Sequence, residues 1–80
     1  MNISAQISLY PLKQEKLSPA IEEAWKILEG KELALQKGGM STVASGEAER
    51  VFEAVREIFI QTAEKGPVAM VVIFSNACPV

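Results

Sequence analysis

Hydrophobic residues along this chain switch between the two-residue repeat of a β-strand and the three-to-four-residue repeat of an α-helix, which limits the folds open to it. Residues 3–12 alternate strictly, and this predicts a strand with one buried face. The apolar face carries Ile3, Ala5, Ile7 and Leu9, and the other carries Ser4, Gln6, Ser8 and Tyr10. That second face is uncharged, whereas a strand facing open water usually carries charged side chains.

Two amphipathic helices follow from the longer spacing. The first begins at Ser18-Pro19, a favoured N-cap and first helical residue, and ends at Gly30. Its apolar stripe, which places the tryptophan in the core, is Ile21, Ala24, Trp25 and Leu28. The second helix runs from Glu47 to Lys65 with the stripe Ala48, Val51, Phe52, Val55, Ile58, Phe59 and Thr62.

Three further strands complete the chain. Residues 33–37 form a short strand, Gly38-Gly39 bends it, and Met40 to Ala44 is its antiparallel partner. On that partner Ser41 and Val43 share one face and Thr42 and Ala44 the other. Residues 68–74 are continuously apolar, which predicts a strand that buries both faces.

The order β-α-β-β-α-β, with right-handed crossovers, predicts an α+β fold: a ferredoxin-like βαββαβ sandwich. A four-stranded antiparallel sheet in the order 4-1-3-2 carries both helices on one face, and one domain spans residues 1–80. The last strand is then an edge that is apolar on both faces, next to an uncharged first strand. One domain cannot cover the helix-free face, so we expect a homodimer or homotetramer formed through it.

Composition excludes several functions. The chain has no His and no Asp, which removes histidine metal sites and Ser-His-Asp triads. Cys78 is the single cysteine, so it forms no internal disulfide and has no histidine to activate it. The net charge of −2 and the lack of a basic run argue against nucleic acid. With no signal peptide or membrane-spanning run visible, we expect a cytoplasmic protein that is not an enzyme and holds no metal or cofactor.

After these exclusions, the function that remains is the binding of a small molecule on the sheet. Neutral hydrogen-bonding groups are dense there and suit a heterocycle with ring nitrogens and an amino group. They are Ser4, Gln6, Ser8, Ser41, Thr42, Ser45, Ser75 and Asn76. The alternative is that these groups pair across strands or line a wet subunit interface. Phe74 fits the core, an interface or a pocket wall.

Several segments in this order resemble the YkoF-like proteins that bind thiamine and hydroxymethylpyrimidine. They are residues 3–12 (ISAQISLYPL), residues 38–47 (GGMSTVASGE), Val51-Phe52 and the closing residues 74–79 (FSNACP). The resemblance implies a ferredoxin-like fold, assembly through the sheets and non-catalytic binding of the pyrimidine part of thiamine. It carries ligand contacts onto Ser41 and Thr42 first, and then onto Ser8, Gln6 and Tyr10. A site that relatives place between two units of one chain would form here between subunits.

A second class stays open, a regulatory or interaction module like the ACT domains, which share the topology and associate through their sheets. Their ligand loop, between the first strand and the first helix, typically contains glycine, and residues 11–15 here contain none. The sequence leaves open whether the role is transport, sequestration or salvage.

Overall fold

The structure is a computed structural model that describes residues 1–13, 18–39 and 41–77. Its elements are β1 (Asn2–Pro11), α1 (Ser18–Gly30), β2 (Ala34–Lys37), β3 (Thr42–Glu47), α2 (Ala48–Glu64) and β4 (Val68–Ser75). The sheet order is β2-β3-β1-β4 with every neighbouring pair antiparallel, which confirms the predicted fold. Cys78 and Met40, on which two sequence predictions fell, lie outside the described residues.

The core lies between one face of the sheet and both helices. Alternation along β1 directs Ile3, Ala5 and Ile7 to this side, and Ala44 of β3 joins them. The helices contribute buried residues at helical spacing: Ala24 and Leu28 from α1, and Val51, Ala54 and Ile58 from α2. Small alanines alternate with larger side chains, which lets the helices pack closely on the sheet.

β3 passes directly into α2. It extends to Glu47, three residues beyond the predicted end at Ala44, and the helix begins at the next residue. The Glu47 side chain makes no capping hydrogen bond. Instead, the Ala48 N–H donates to the Met1 carbonyl oxygen at 2.9 Å. The residue that precedes β1 therefore supplies the hydrogen-bond acceptor for the first N–H group of α2.

The ends and buried sides of the helices add detail to the sequence predictions. α1 ends at Gly30 as predicted, and the left-handed residue beyond it is Glu32, with φ of 59°. The buried side of α2 is narrower than the predicted stripe, because Phe52 and Phe59 are exposed. The Phe52 ring instead packs on Phe74 of β4, with ring centroids 4.7 Å apart.

The helix-free face of the sheet is uncovered in the single chain. On β4 the side chains of Val71 and Ile73 lie on this face and are 55% and 52% exposed. They sit opposite Ser8 and Gln6 of β1, on the uncharged face predicted from the alternation. Within the described ranges, none of the helices combines the length and apolar character needed to cross a bilayer.

Candidate functional site

A mostly apolar cavity opens between α1 and the end of the sheet where β2 turns into β3. The space between its walls is about 430 Å³ when the solvent at its open mouth is included, and about 50 Å³ of it admits the centre of a water molecule. Its walls come from both layers of the sandwich. They include Ile21, Trp25 and Leu28 of α1, Ile7 and Leu9 of β1, Thr42 of β3, Ile58 of α2, and Gly38, Gly39 and Ser41 of the turn.

Trp25 and Thr42 place a polar contact in this wall. The indole Nε1–H donates to the Thr42 Oγ1 at 2.9 Å. Thr42 lies on the helix side of the sheet and is 9% exposed, so its hydroxyl is almost fully removed from solvent. Because the hydroxyl accepts from the indole, its own proton stays available to donate to another acceptor.

Lys37 sets the charge beside the indole. Its Nζ lies 4.6 Å from the centroid of the Trp25 ring, which is a cation–π contact. The same ammonium is 3.1 Å from the Glu29 carboxylate, so a partly neutralised pair stands next to the cavity. The charged groups described beside the indole are therefore paired with each other.

The β2–β3 turn brings one polar residue, Ser41, to the cavity. The Gly38 N–H donates to the Ser41 carbonyl oxygen at 2.9 Å. A Cβ on Gly38 would stand 2.9 Å from that same oxygen, whereas a Cβ on Gly39 would meet nothing within 4 Å. Glycine at position 38 thus lets the turn close on the Ser41 carbonyl oxygen.

The five predicted ligand residues do not form one cluster. Thr42 faces the helices, while Gln6, Ser8 and Tyr10 lie on the helix-free face. Ser41 connects the two groups, because it lines the cavity and its Oγ accepts a hydrogen bond from Gln6 Nε2 at 3.4 Å. Tyr10 is exposed and Ser8 is half-buried, each opposite a β4 residue.

For Trp25, the position predicted from helical spacing is wrong. Its stripe predicts a core side chain, but the indole is half-buried and lines the cavity. The available signal was chemical, since an indole N–H removed from water needs an acceptor, and Thr42 is the hydroxyl that supplies it.

The remaining polar residues gather at the opposite end of β1. Ser4 is paired with Ser45 of β3 on one side and with Ser75 of β4 on the other. The Ser75 hydroxyl donates to the Ala77 carbonyl oxygen and accepts from the Ala77 N–H, so it satisfies its own turn. The hydroxyls predicted as one group therefore fall into two sets at the two ends of the strand.

The part of the chain that the structure describes contains no candidate metal site. No three His, Cys, Asp or Glu side chains come together there as ligands. The ionic contacts are half-buried or exposed, for example Lys31 with Glu57 at 2.8 Å and Arg50 with Glu32 at 2.7 Å. The hydrogen bond from Lys31 to the Glu57 carboxylate raises the pKa of that ammonium, which stays charged and structural.

The fold and this cavity define a small ferredoxin-like α+β domain with a polar contact set in an apolar wall. The chain belongs to the YKOF-related family, whose model matches residues 2–80. No curated protein matches it in sequence.

Solved structures share the fold at low sequence identity. A hypothetical protein of Methanocaldococcus jannascii is 19% identical with a TM-score of 0.86, covering 95% of this chain and 80% of its own. A protein of Streptococcus pneumoniae has the same identity and TM-score, with 96% and 88% covered. A Thermotoga maritima protein, provisionally assigned to thiamine biosynthesis or salvage, is 15% identical with a TM-score of 0.83, covering 96% and 85%.

Proposed function

We propose that this protein reversibly binds the pyrimidine part of thiamine, as thiamine or hydroxymethylpyrimidine, without catalysis. The observation that carries the proposal is the Thr42 hydroxyl, buried and held by the Trp25 indole in the wall of an apolar cavity. Membership of the YKOF-related family and the fold shared with the Thermotoga maritima protein support thiamine chemistry.

The cavity chemistry suits an aminopyrimidine. Such a ring is flat and neutral, so apolar side chains such as Ile7 and Leu28 can cover it at little desolvation cost. The Thr42 proton can donate to a ring nitrogen, and the Ser41 hydroxyl can accept from the amino group. Each of these hydrogen bonds contributes on the order of 1 kcal/mol net, more where an unmet polar atom would otherwise be buried.

The charges favour an unphosphorylated ligand. Lys37, whose ammonium lies beside the cavity-lining Trp25 ring, is engaged with Glu29 and with that ring. Within the described residues, no arginine or lysine cluster lines the cavity to hold a diphosphate. The cationic thiazolium of thiamine would lie at the open mouth, where water screens it from Lys37.

The helix-free face is proposed as the interface of a homo-oligomer. It exposes Val71 and Ile73 beside the neutral side chains of Gln6, Ser8 and Tyr10. Because Gln6 is hydrogen-bonded to Ser41, the interface would lie next to the cavity. Gln6, Ser8 and Tyr10 would then line the approach to the ligand rather than contact the buried ring.

Trp25 gives the proposal a direct test, because it is the only tryptophan and it lines the cavity. Its fluorescence should change saturably on titration with hydroxymethylpyrimidine and thiamine, and much less with thiamine diphosphate. Calorimetry should return the same affinities, and incubation should leave the ligand chemically unchanged. Failure of every pyrimidine to bind would overturn the proposal, and saturable binding of an amino acid would favour the ACT-like module.

A further inference from the structure

The cavity beside α1 is too small, as it stands, for the ring that we propose it binds. About 50 Å³ of it admits the centre of a water molecule. One water needs roughly 10–15 Å³ on this measure, so that part of the cavity holds about four waters. A pyrimidine ring with its amino, methyl and hydroxymethyl groups is larger than this. A side chain of the wall must therefore move before such a ring enters.

Trp25 is the wall residue whose movement disturbs the core least. Leu28 and Ile58 are each 1% exposed and belong to the core, so displacing them would open the packed sandwich. The Trp25 ring is half-buried, and it is the largest side chain among the described residues of the wall. Rotation about its side-chain bonds moves the ring while the backbone of α1 stays in place. Its departure frees much space at a small loss of packing.

The hydrogen bond to Thr42 is the contact that holds the indole in the wall. The Lys37 ammonium lies over the ring, but this side chain and its Glu29 partner are exposed, and exposed contacts of this kind add little. An indole that leaves the wall donates its N–H to water, so no donor is left unpaired. The turn leaves room at the mouth, because a Cβ on Gly39 would meet nothing within 4 Å.

On the basis of the proposed pyrimidine site, we infer that the Trp25 side chain is a gate, closed in this structure, which leaves the wall to admit the ligand. The Thr42 hydroxyl holds the gate closed, and the ligand takes over this hydroxyl. Once the indole has left, the Thr42 oxygen regains an acceptor site and keeps its proton. An aminopyrimidine carries an amino donor and ring-nitrogen acceptors, so it can replace the indole at Thr42. A purely apolar ring cannot, and the gate therefore selects for rings that form hydrogen bonds.

Quenching of tryptophan fluorescence by acrylamide tests the gate without any ligand. Thr42→Val removes the oxygen that holds the indole, so quenching of Trp25 in the free protein should rise toward that of an exposed indole. Thr42→Ser keeps the hydroxyl and should be quenched like the unmodified protein. Gln61→Trp in a Trp25→Phe background gives the reference value, since position 61 is exposed on α2. Unchanged quenching in a folded Thr42→Val variant would contradict the gate.

The same measurement with ligand separates a gate from a fixed wall. Saturating hydroxymethylpyrimidine should increase the quenching of Trp25, because the displaced ring stands in water. A fixed wall would be covered by the ligand, so its quenching would fall. The Gln61→Trp reference, whose indole lies outside the cavity, should not change. A fall for Trp25 on binding would rule out the gate and leave the proposed function standing, whereas absence of pyrimidine binding in calorimetry would overturn the proposed function itself.

Trp25→Phe tests the energetic consequence of the gate. The variant keeps an aromatic ring but lacks the N–H that holds the ring at Thr42. A ligand that binds only the open form has an apparent affinity reduced by the closed fraction. Loss of one hydrogen bond from the closed form should therefore raise the affinity for hydroxymethylpyrimidine about fivefold. Calorimetry measures it, with circular dichroism to confirm the fold, and equal or weaker binding would show that Trp25 is a fixed wall.

Discussion

The Trp25 indole and the Thr42 hydroxyl join α1 to β3 across the cavity through one hydrogen bond of 2.9 Å. The donor belongs to a half-buried ring and the acceptor to a side chain that is 9% exposed. The contact therefore serves both layers of the sandwich: it holds the helix against the sheet, and it fixes the orientation of the hydroxyl that a ligand would meet.

Thr42→Val keeps the shape of the side chain and removes only the oxygen. The Trp25 N–H loses its acceptor, so the free energy of unfolding should fall by about 1 kcal/mol in urea denaturation. In a Trp25→Phe background the same substitution should cost much less, because no N–H is left unpaired. Equal costs in the two backgrounds would show that the hydrogen bond contributes nothing to stability.

The same substitution should weaken ligand binding. Loss of one hydrogen bond to a buried ring nitrogen predicts an affinity for hydroxymethylpyrimidine that is about tenfold lower, which corresponds to ~1.4 kcal/mol. Thr42→Ser retains the hydroxyl and should bind within a few-fold of the unmodified protein. Calorimetric titration measures both variants. Equal affinities for them would show that the pyrimidine does not contact the Thr42 hydroxyl.

Lys37→Gln should change the affinity for thiamine but not the affinity for hydroxymethylpyrimidine. Removing the ammonium from beside Trp25 leaves Glu29 without its partner, which makes the cavity mouth more negative. Affinity for cationic thiamine should rise a few-fold at low salt, since exposed charges several ångströms apart interact by less than about 1 kcal/mol. Neutral hydroxymethylpyrimidine should bind unchanged. A parallel rise for both ligands would rule out an electrostatic cause.

Gly38→Ala and Gly39→Ala form a matched pair for the turn. The new Cβ at position 38 meets the Ser41 carbonyl oxygen at 2.9 Å, whereas at position 39 it meets open space. Gly38→Ala should displace Ser41 and lower pyrimidine affinity, and Gly39→Ala should leave it unchanged. Fluorescence titration compares the two, and equal behaviour would show that the Gly38 contact does not position Ser41.

Hydrophobic spacing predicted the fold because each element of this chain follows its own period. The alternation of Ile3, Ala5 and Ile7 located β1, and the order of elements then left few topologies. Element ends were less determined, because a strand such as β3 can continue through Gly46 when the next helix begins immediately. Spacing placed Phe52 on the buried stripe of α2 and could not show that its ring packs on Phe74 instead. That contact depends on how α2 lies over β4.

The candidate site was harder to predict because it depends on contacts between distant segments. The family resemblance ranked Ser41 and Thr42 first, but strand alternation predicted opposite faces for them, whereas in the structure both line the cavity. Trp25 is seventeen residues away from Thr42 in sequence, and only the packing of α1 on the sheet brings the indole to the hydroxyl. Helical period alone gives the same prediction for a core tryptophan and for one that lines a cavity.

Gly46→Ala should destabilise the fold without touching the cavity. Its Cβ would stand 2.6 Å from Cδ2 of Leu33, a core side chain that would have to move. Overpacking of this kind costs about 1–3 kcal/mol in the free energy of unfolding. Gly30→Ala, where a Cβ meets nothing within 4 Å, should be neutral or slightly stabilising. Urea midpoints measure both, and a neutral Gly46→Ala would mean that Leu33 repacks freely.

Ile73→Lys tests association through the helix-free face. The side chain is exposed in the single chain, so a lysine there should leave the monomer fold intact but place two charges in a sheet-on-sheet contact. Sedimentation should show a smaller assembly than that of the unmodified protein. Gln61→Lys adds the same charge at an exposed position on α2 and should keep the original mass. If both variants keep it, the helix-free face is not an interface.

The direct passage from β3 to α2 has a consequence for insertions and deletions. With no linking residue between Glu47 and Ala48, one added amino acid would rotate the helix by about 100° relative to the strand. Val51, Ala54 and Ile58 would then turn away from the sheet together. Length variation between related chains should therefore be absent at this junction and be accommodated at connections that can absorb an extra residue.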